Sequence, residues 1–136
     1  MMLRRQAKQA RLLIVDPDPD VRTALANYLA EAFVVEVGAN SQEALELLEQ
    51  HQPDVVLAEV EQPDHYGPGF LLEVRRRLPR AVLVATYQYG VQGQMSEPLL
   101  RRIADVIVTK PFDIGKLEET LLGLVNSKGL SAQEGA

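Results

Sequence analysis

Five side chains in this chain of 136 residues are of types that together could handle a phosphoryl group and a divalent metal: Asp16, Asp18, Glu59, Thr86 and Lys110. Carboxylates are the hard oxygen ligands that Mg²⁺ takes. A hydroxyl and an ammonium are the donors that steady the oxygens of a transferring phosphate. Each of the five stands at or just past the carboxyl end of a short apolar run, so all five would share one rim if those runs were neighbouring strands. Each also has a plainer use. Asp16 could be solvated or cap a helix, Asp18 precedes Pro19 as a natural N-cap, and Thr86 could satisfy local backbone groups.

The elements that must place these residues are legible as two periodicities. Short β-branched runs at Leu12–Val15, Val34–Val37, Asp54–Val60, Ala81–Ala85 and Val106–Val108 read as five strands. Between and after them lie stretches with helical spacing. The first is marked by Val21, Ala24, Leu25, Tyr28, Leu29 and Ala32, and the second by Ala44, Leu45 and Leu48 behind a Ser41 cap. Phe70, Leu71, Val74 and Leu78 mark the third, and a short helix runs from about Pro98 to Ile103. The last carries Leu117, Leu121, Leu124 and Val125. Strict alternation of strand and helix predicts an α/β fold with helices on both faces of a parallel sheet. Right-handed crossovers favour the doubly wound, flavodoxin-like strand order 2-1-3-4-5 with five helices. Such sheets gather ligands beyond the carboxyl ends of the strands, which is where the five side chains lie.

The bulk properties fit one domain, expected over residues 11–126, between a polar extension (1–10) and a Ser-, Gly- and Gln-rich tail or linker (127–136). No cysteine is present, so disulfides and thiolate metal sites are excluded. The longest apolar runs are too short to span a bilayer, and the basic start is not followed by the apolar stretch of a signal peptide, so a cytoplasmic protein without membrane contact is expected. A net charge of −5 argues against direct nucleic-acid binding. Arg75, Arg76, Arg77 and Arg80 form a local basic cluster, expected to be a solvated face. His51 and His65 are not spaced as a metal pair. No GxGxxG or P-loop supports a nucleotide or flavin site, and no nucleophile–base pair supports another enzyme class.

Four segments, "RLLIVDPDPDVR", "ANSQEALELLEQHQPDVVLAEVEQP", "AVLVAT" and "ADVIVTKPF", occur in an order and at spacings that resemble two-component response-regulator receiver domains. The resemblance runs from about Arg11 to Val125. It implies a signalling module in which two adjacent acids after strand 1 bind Mg²⁺ and an Asp ending strand 3 accepts a phosphoryl group from a histidine kinase. A Thr or Ser and a Lys then steady that group. Asp16 matches the first acid, Thr86 the hydroxyl, Lys110-Pro111 the Lys-Pro pair whose peptide bond is cis in the family, and Pro63 a proline four residues past the acceptor.

The departures fall on the chemistry. Pro17 takes the place of the second acid, Glu59 that of the phosphoacceptor Asp, and Ile107 that of the aromatic residue that swings inward on activation. "DHYGPG" lengthens the following loop. Pro17 offers no side-chain oxygen. Glu59 pushes its carboxylate outward by about 1.3 Å, where a 1 Å misplacement can cost ~100-fold. The expected protein is therefore an atypical, pseudo-receiver variant with no catalytic residue and Mg²⁺ binding weak or absent, resting on Asp16 at most. Glu59 is expected to reach Lys110 and pair with it, locking one state, with Tyr87 and Tyr89 as candidate substitutes for the switch at Ile107. Its partners would be a protein or a second copy, through helix 4, strand 5 and helix 5, with a histidine kinase or output domain in the same pathway. The alternative is an active receiver using Asp18 and Glu59 in rearranged roles.

Overall fold

The computed structural model describes residues 9–62, 69–88 and 97–129. Pro63, His65, Tyr89 and the loop around "DHYGPG" lie outside them. In chain order the elements are β1 (Arg11–Val15), α1 (Pro19–Leu29), β2 (Val34–Gly38), α2 (Ser41–His51) and β3 (Val55–Glu59). They continue with α3 (Gly69–Arg77), β4 (Val82–Gln88), α4 (Glu97–Ile103), β5 (Val106–Lys110) and α5 (Ile114–Lys128). All neighbouring strands pair in parallel, in the order β2-β1-β3-β4-β5 predicted from the sequence.

Side-chain alternation along the strands divides the interior into two layers. Leu13, Val15, Val56, Ala58, Leu83 and Ala85 face α2, α3 and α4, where they meet Ala44, Leu48, Phe70, Val74 and Leu100. Leu12, Ile14, Val55, Leu57, Val82 and Val84 face α1 and α5, meeting Leu25, Leu29, Leu117, Leu121 and Val125. Because both faces of the central strands are covered, β3 is buried along its whole length, which explains its nearly unbroken apolar sequence. No described helix is long and apolar enough to cross a membrane.

Several boundaries differ from the sequence expectation. Asp54 is not part of β3; its carboxylate accepts the Arg11 N–H at 2.9 Å and caps the start of β1. β4 and β5 run further, to Gln88 and Lys110, so Thr86 and Lys110 sit inside the ladder rather than beyond it. Asn40, not Ser41, caps α2: its side chain accepts from Glu43 N at 2.9 Å while Glu43 Oε1 accepts from Ala39 N at 2.8 Å. Such reciprocal capping fixes the helix one residue earlier than Ser41 would. Ala24 and Tyr28 share the α1 stripe in sequence but point outward, Tyr28 being 48% exposed. α5 continues to Lys128, where Gly129 ends it in the left-handed conformation (φ 68°).

Candidate functional site

The parallel register brings the chemistry together. β1 and β3 are adjacent, β3 pairs with β4 so that Glu59 lies opposite Thr86, and β5 ends at Lys110 one strand further out. Asp16 follows the last residue of β1, so its side chain leaves from the same edge of the sheet. Asp16, Glu59 and Thr86 are all buried, at 3%, 7% and 3% exposure.

Lys110 is the centre of this group. Its ammonium lies 2.6 Å from Asp16 Oδ2 and 2.7 Å from Glu59 Oε1. The Thr86 hydroxyl donates to the same Glu59 oxygen at 3.3 Å. The Lys110-Pro111 peptide bond is cis, as the resemblance implied. Asp16 has its other polar atoms engaged as well. Its N–H donates to Gly38 O at 3.1 Å, its Oδ1 accepts from Asp18 N at 2.9 Å, and its carbonyl accepts from Arg22 Nη1 at 2.7 Å.

Asp18 is the expected pocket residue that the structure places elsewhere. Its carboxylate accepts from Asp20 N at 2.9 Å and caps α1, with Pro19 in the first turn. Asx-type bonding to a residue two positions on is what a short acid before a helix does most readily. Pro17 and Asp18 are both exposed, so the rim keeps one buried acid after β1. Ile107 is half-buried and packs, together with Tyr87, against the core layer under α2 to α4.

The electrostatics follow from burial and pairing. Burial pushes the Glu59 carboxyl above its ordinary range; the Lys110 ammonium opposes this, and the charge on Asp16 adds to it. Burial also works against the charge on Lys110, but its hydrogen bonds to Asp16 and Glu59 outweigh that and hold the ammonium more firmly protonated than usual. The cost of bringing three charges out of water thus falls on Glu59, the acid that must share its cation.

Two contributors went unnoticed in the sequence. Arg22, inside the quoted segment "DPDPDVR", ties α1 to the Asp16 carbonyl. Gln62 is 1% exposed and donates from Nε2 to the Glu59 carbonyl at 2.7 Å, while its Oε1 is buried without a partner. Arg22 was open to recognition as a cation one turn past a buried acid. Gln62 had no signal, because a glutamine in a loop is ordinarily exposed.

Known proteins are similar to this chain. The response regulator Rre1 of Synechocystis is 30% identical over 139 residues, a stretch covering 96% of this chain and 58% of Rre1. The chemotaxis protein CheY of Listeria monocytogenes is 28% identical over 113 residues, covering 82% of this chain and 94% of CheY. The regulatory protein AtoC of Escherichia coli is 32% identical over 108 residues, which is 23% of AtoC. The chain therefore spans little more than half of Rre1 and less than a quarter of AtoC. Among solved structures, a CheY-like receiver domain protein from Methanospirillum hungatei superposes with a TM-score of 0.79 at 23% identity, covering 89% of this chain and 97% of that one. A receiver domain protein from Clostridium thermocellum gives 0.78 at 19% identity, covering 89% and 98%. At such identities these two speak for the fold. The family model described as response regulator receiver domain matches residues 12–122. That match begins in β1 and ends in α5, taking in all five strands, and so the chain belongs to the response regulator receiver domain family.

Proposed function

We propose that this receiver domain, a module of signal transduction, works by binding a protein partner or a second copy of itself without being phosphorylated. The observation that carries this is the double engagement of Lys110 by Asp16 and Glu59, at 2.6 and 2.7 Å. An incoming phosphoryl group needs the ammonium and the Thr86 hydroxyl, and both already serve the Glu59 carboxylate. Glu59 thus occupies the place of a phosphorylated acceptor and holds the domain in one, active-like state. A paired and buried charge of this kind serves specificity more than stability.

Mg²⁺ fits these residues poorly. It requires near-octahedral oxygen ligation. Asp16 has both carboxylate oxygens committed, one of them to a cation, Pro17 supplies none, and Asp18 is turned to α1. Among the described residues, no three of His, Cys, Asp or Glu are grouped as metal ligands. We infer a domain without Mg²⁺ dependence and without enzymatic chemistry of its own, acting in the cytoplasm. Partner contact is through α4, β5 and α5, where Leu99 and Leu122 are 37% and 36% exposed.

The test is an amide NMR titration with Mg²⁺ and then beryllofluoride, alongside mass spectrometry after acetyl phosphate. No saturable shift at Asp16, Glu59 or Thr86 and no mass gain labile to alkali or hydroxylamine are expected. Saturable shifts spreading to α4 would overturn the proposal and establish an active receiver with a rearranged acidic site. Binding through the α4–β5–α5 face is tested separately. Glu59→Gln should change the self-association measured by sedimentation or the affinity for a captured partner, and unchanged values for both Glu59→Gln and Glu59→Asp would refute the lock.

A further inference from the structure

At the opposite pole of the sheet, roughly 16 Å from the acidic rim for five-residue strands, the carboxyl ends of three helices converge on one charged hub. Arg75, in the last turn of α3, is not a member of a solvated cluster: its guanidinium is turned under the sheet. Nε donates to Ile103 O at 3.1 Å, the last carbonyl of α4. Nη1 donates to Ala81 O at 2.8 Å, Pro79 O at 3.1 Å and Leu78 O at 3.4 Å. Nη2 donates to Asp105 Oδ2 at 3.0 Å. Arg76 and Arg77, by contrast, pair with Glu73 on the helix surface.

Asp105 stands in the turn between α4 and β5. Its Oδ2 also accepts from Leu83 N at 2.8 Å, and its own N–H donates to Leu83 O at 2.7 Å. Lys128, at the end of α5, lies 3.2 Å from Asp105 Oδ1 and 3.4 Å from Ala81 O. Helix ends carry unsatisfied carbonyls and a partial negative charge. One guanidinium answers two such ends, those of α3 and α4, an ammonium projects from the third, and one carboxylate joins the two cations.

α4 is only seven residues long and could not hold its own end against the sheet by helix propensity. We propose that Arg75 and Asp105 are positioning residues that fix the carboxyl end of α4 against β4 and α5, so that the α4–β5–α5 face is presented preformed. The functional importance of this face rests on the proposal above; the clamp itself does not. Packing alone would position α4 through Leu100 and Ile103, which are buried, but would leave the polar ends free to open.

Native-state amide exchange of the full chain separates the two. In the unsubstituted protein the amides of Ala104 and Asp105 should exchange at the rate of core amides such as Leu29 and Leu48; fast local opening at those two positions would overturn the clamp. Arg75→Lys keeps the charge but cannot span the same carbonyls. It should speed exchange at Ile103, Ala104 and Asp105 by at least about tenfold relative to Leu29 and Leu48, the worth of one or two lost hydrogen bonds. Asp105→Asn, which still offers an acceptor to Leu83, should do the same at Val125 to Lys128. Equal acceleration everywhere would mean general destabilisation and no positioning role. None of these amides touches the acidic rim, so the outcome is independent of whether Glu59 is phosphorylated.

Discussion

Lys110→Met removes the ammonium while keeping an unbranched side chain of similar length, and leaves Asp16 and Glu59 facing each other at 3% and 7% exposure. Two buried carboxylates this close cannot both stay charged, so the pair takes up one proton, and Glu59, which burial already pushes towards protonation, is the acceptor. Holding neutral a carboxyl with an ordinary value of 4.5 costs at pH 7 about 2.5 × 1.36, or ~3.4 kcal/mol. That agrees with the ~3–5 kcal/mol usual for removing one member of a buried ion pair. The sign follows from proton counting. The folded variant holds a proton that the unfolded chain releases above 4.5, so stability falls as pH rises and recovers as pH falls. At pH 5 the same cost is about 0.8 kcal/mol. Urea unfolding followed by circular dichroism at pH 5, 6 and 7 should show the variant's own stability rise by about 2.5 kcal/mol from pH 7 to pH 5, a steeper change than that of the parent, whose Glu59 keeps a cation beside it. A loss under about 1 kcal/mol at pH 7, or one independent of pH, would mean that Lys110 does not hold two charged acids.

Glu59→Gln should be tolerated at pH 7, because Lys110 keeps Asp16 and a repulsion disappears. The raised carboxyl of Glu59 makes the parent lose stability as pH climbs past 4.5, so the gap in favour of Gln should widen from pH 4 to 7 in the same unfolding assay. Asp113 caps α5 by accepting from Lys116 N at 3.0 Å, and Asp113→Ala should cost about 1 kcal/mol in thermal melts. Pro17→Asp combined with Glu59→Asp supplies the second acid after β1 and the shorter acceptor at the end of β3. It should produce a Mg²⁺-dependent mass gain with acetyl phosphate that is lost in alkali or hydroxylamine, and its absence would mean that these two positions do not account for the departure from the family.

The strand order and the rim were legible because alternation of apolar runs with helical stripes leaves few topologies, and parallel sheets deliver their strand ends to one edge. What the sequence did not disclose are choices made by side chains between competing partners. Asn40 and Ser41 are both good caps, and Glu43 decided for Asn40 by reaching back to Ala39. Ala24 and Tyr28 fit the α1 stripe by spacing, yet only one arc of a helix meets the sheet. Arg75 looked like its neighbours Arg76 and Arg77, and only the fold shows that helix α3 aims it at the ends of two other elements. Asp18 could serve pocket or cap, and the local bond to Asp20, which needs no long-range ordering, prevailed.

On the proposed reading, charge counting explains how Thr86 and Lys110 can be present without phosphoryl transfer. Asp16, Glu59 and Lys110 sum to −1 at the rim, and a phosphoryl donor adds negative charge of its own. At about 4 Å and an effective dielectric of 20, each pair of like unit charges costs about 4 kcal/mol, or roughly three powers of ten in rate. A divalent cation would reverse that sign, but Asp16, the buried acid after β1, already has its oxygens on Lys110 and the Asp18 N–H. Lys110, for its part, is held charged against its burial by its bonds to Asp16 and Glu59. On that reading the lysine is explained by its pairing with Asp16 and Glu59, and the same pairing withdraws it from phosphate.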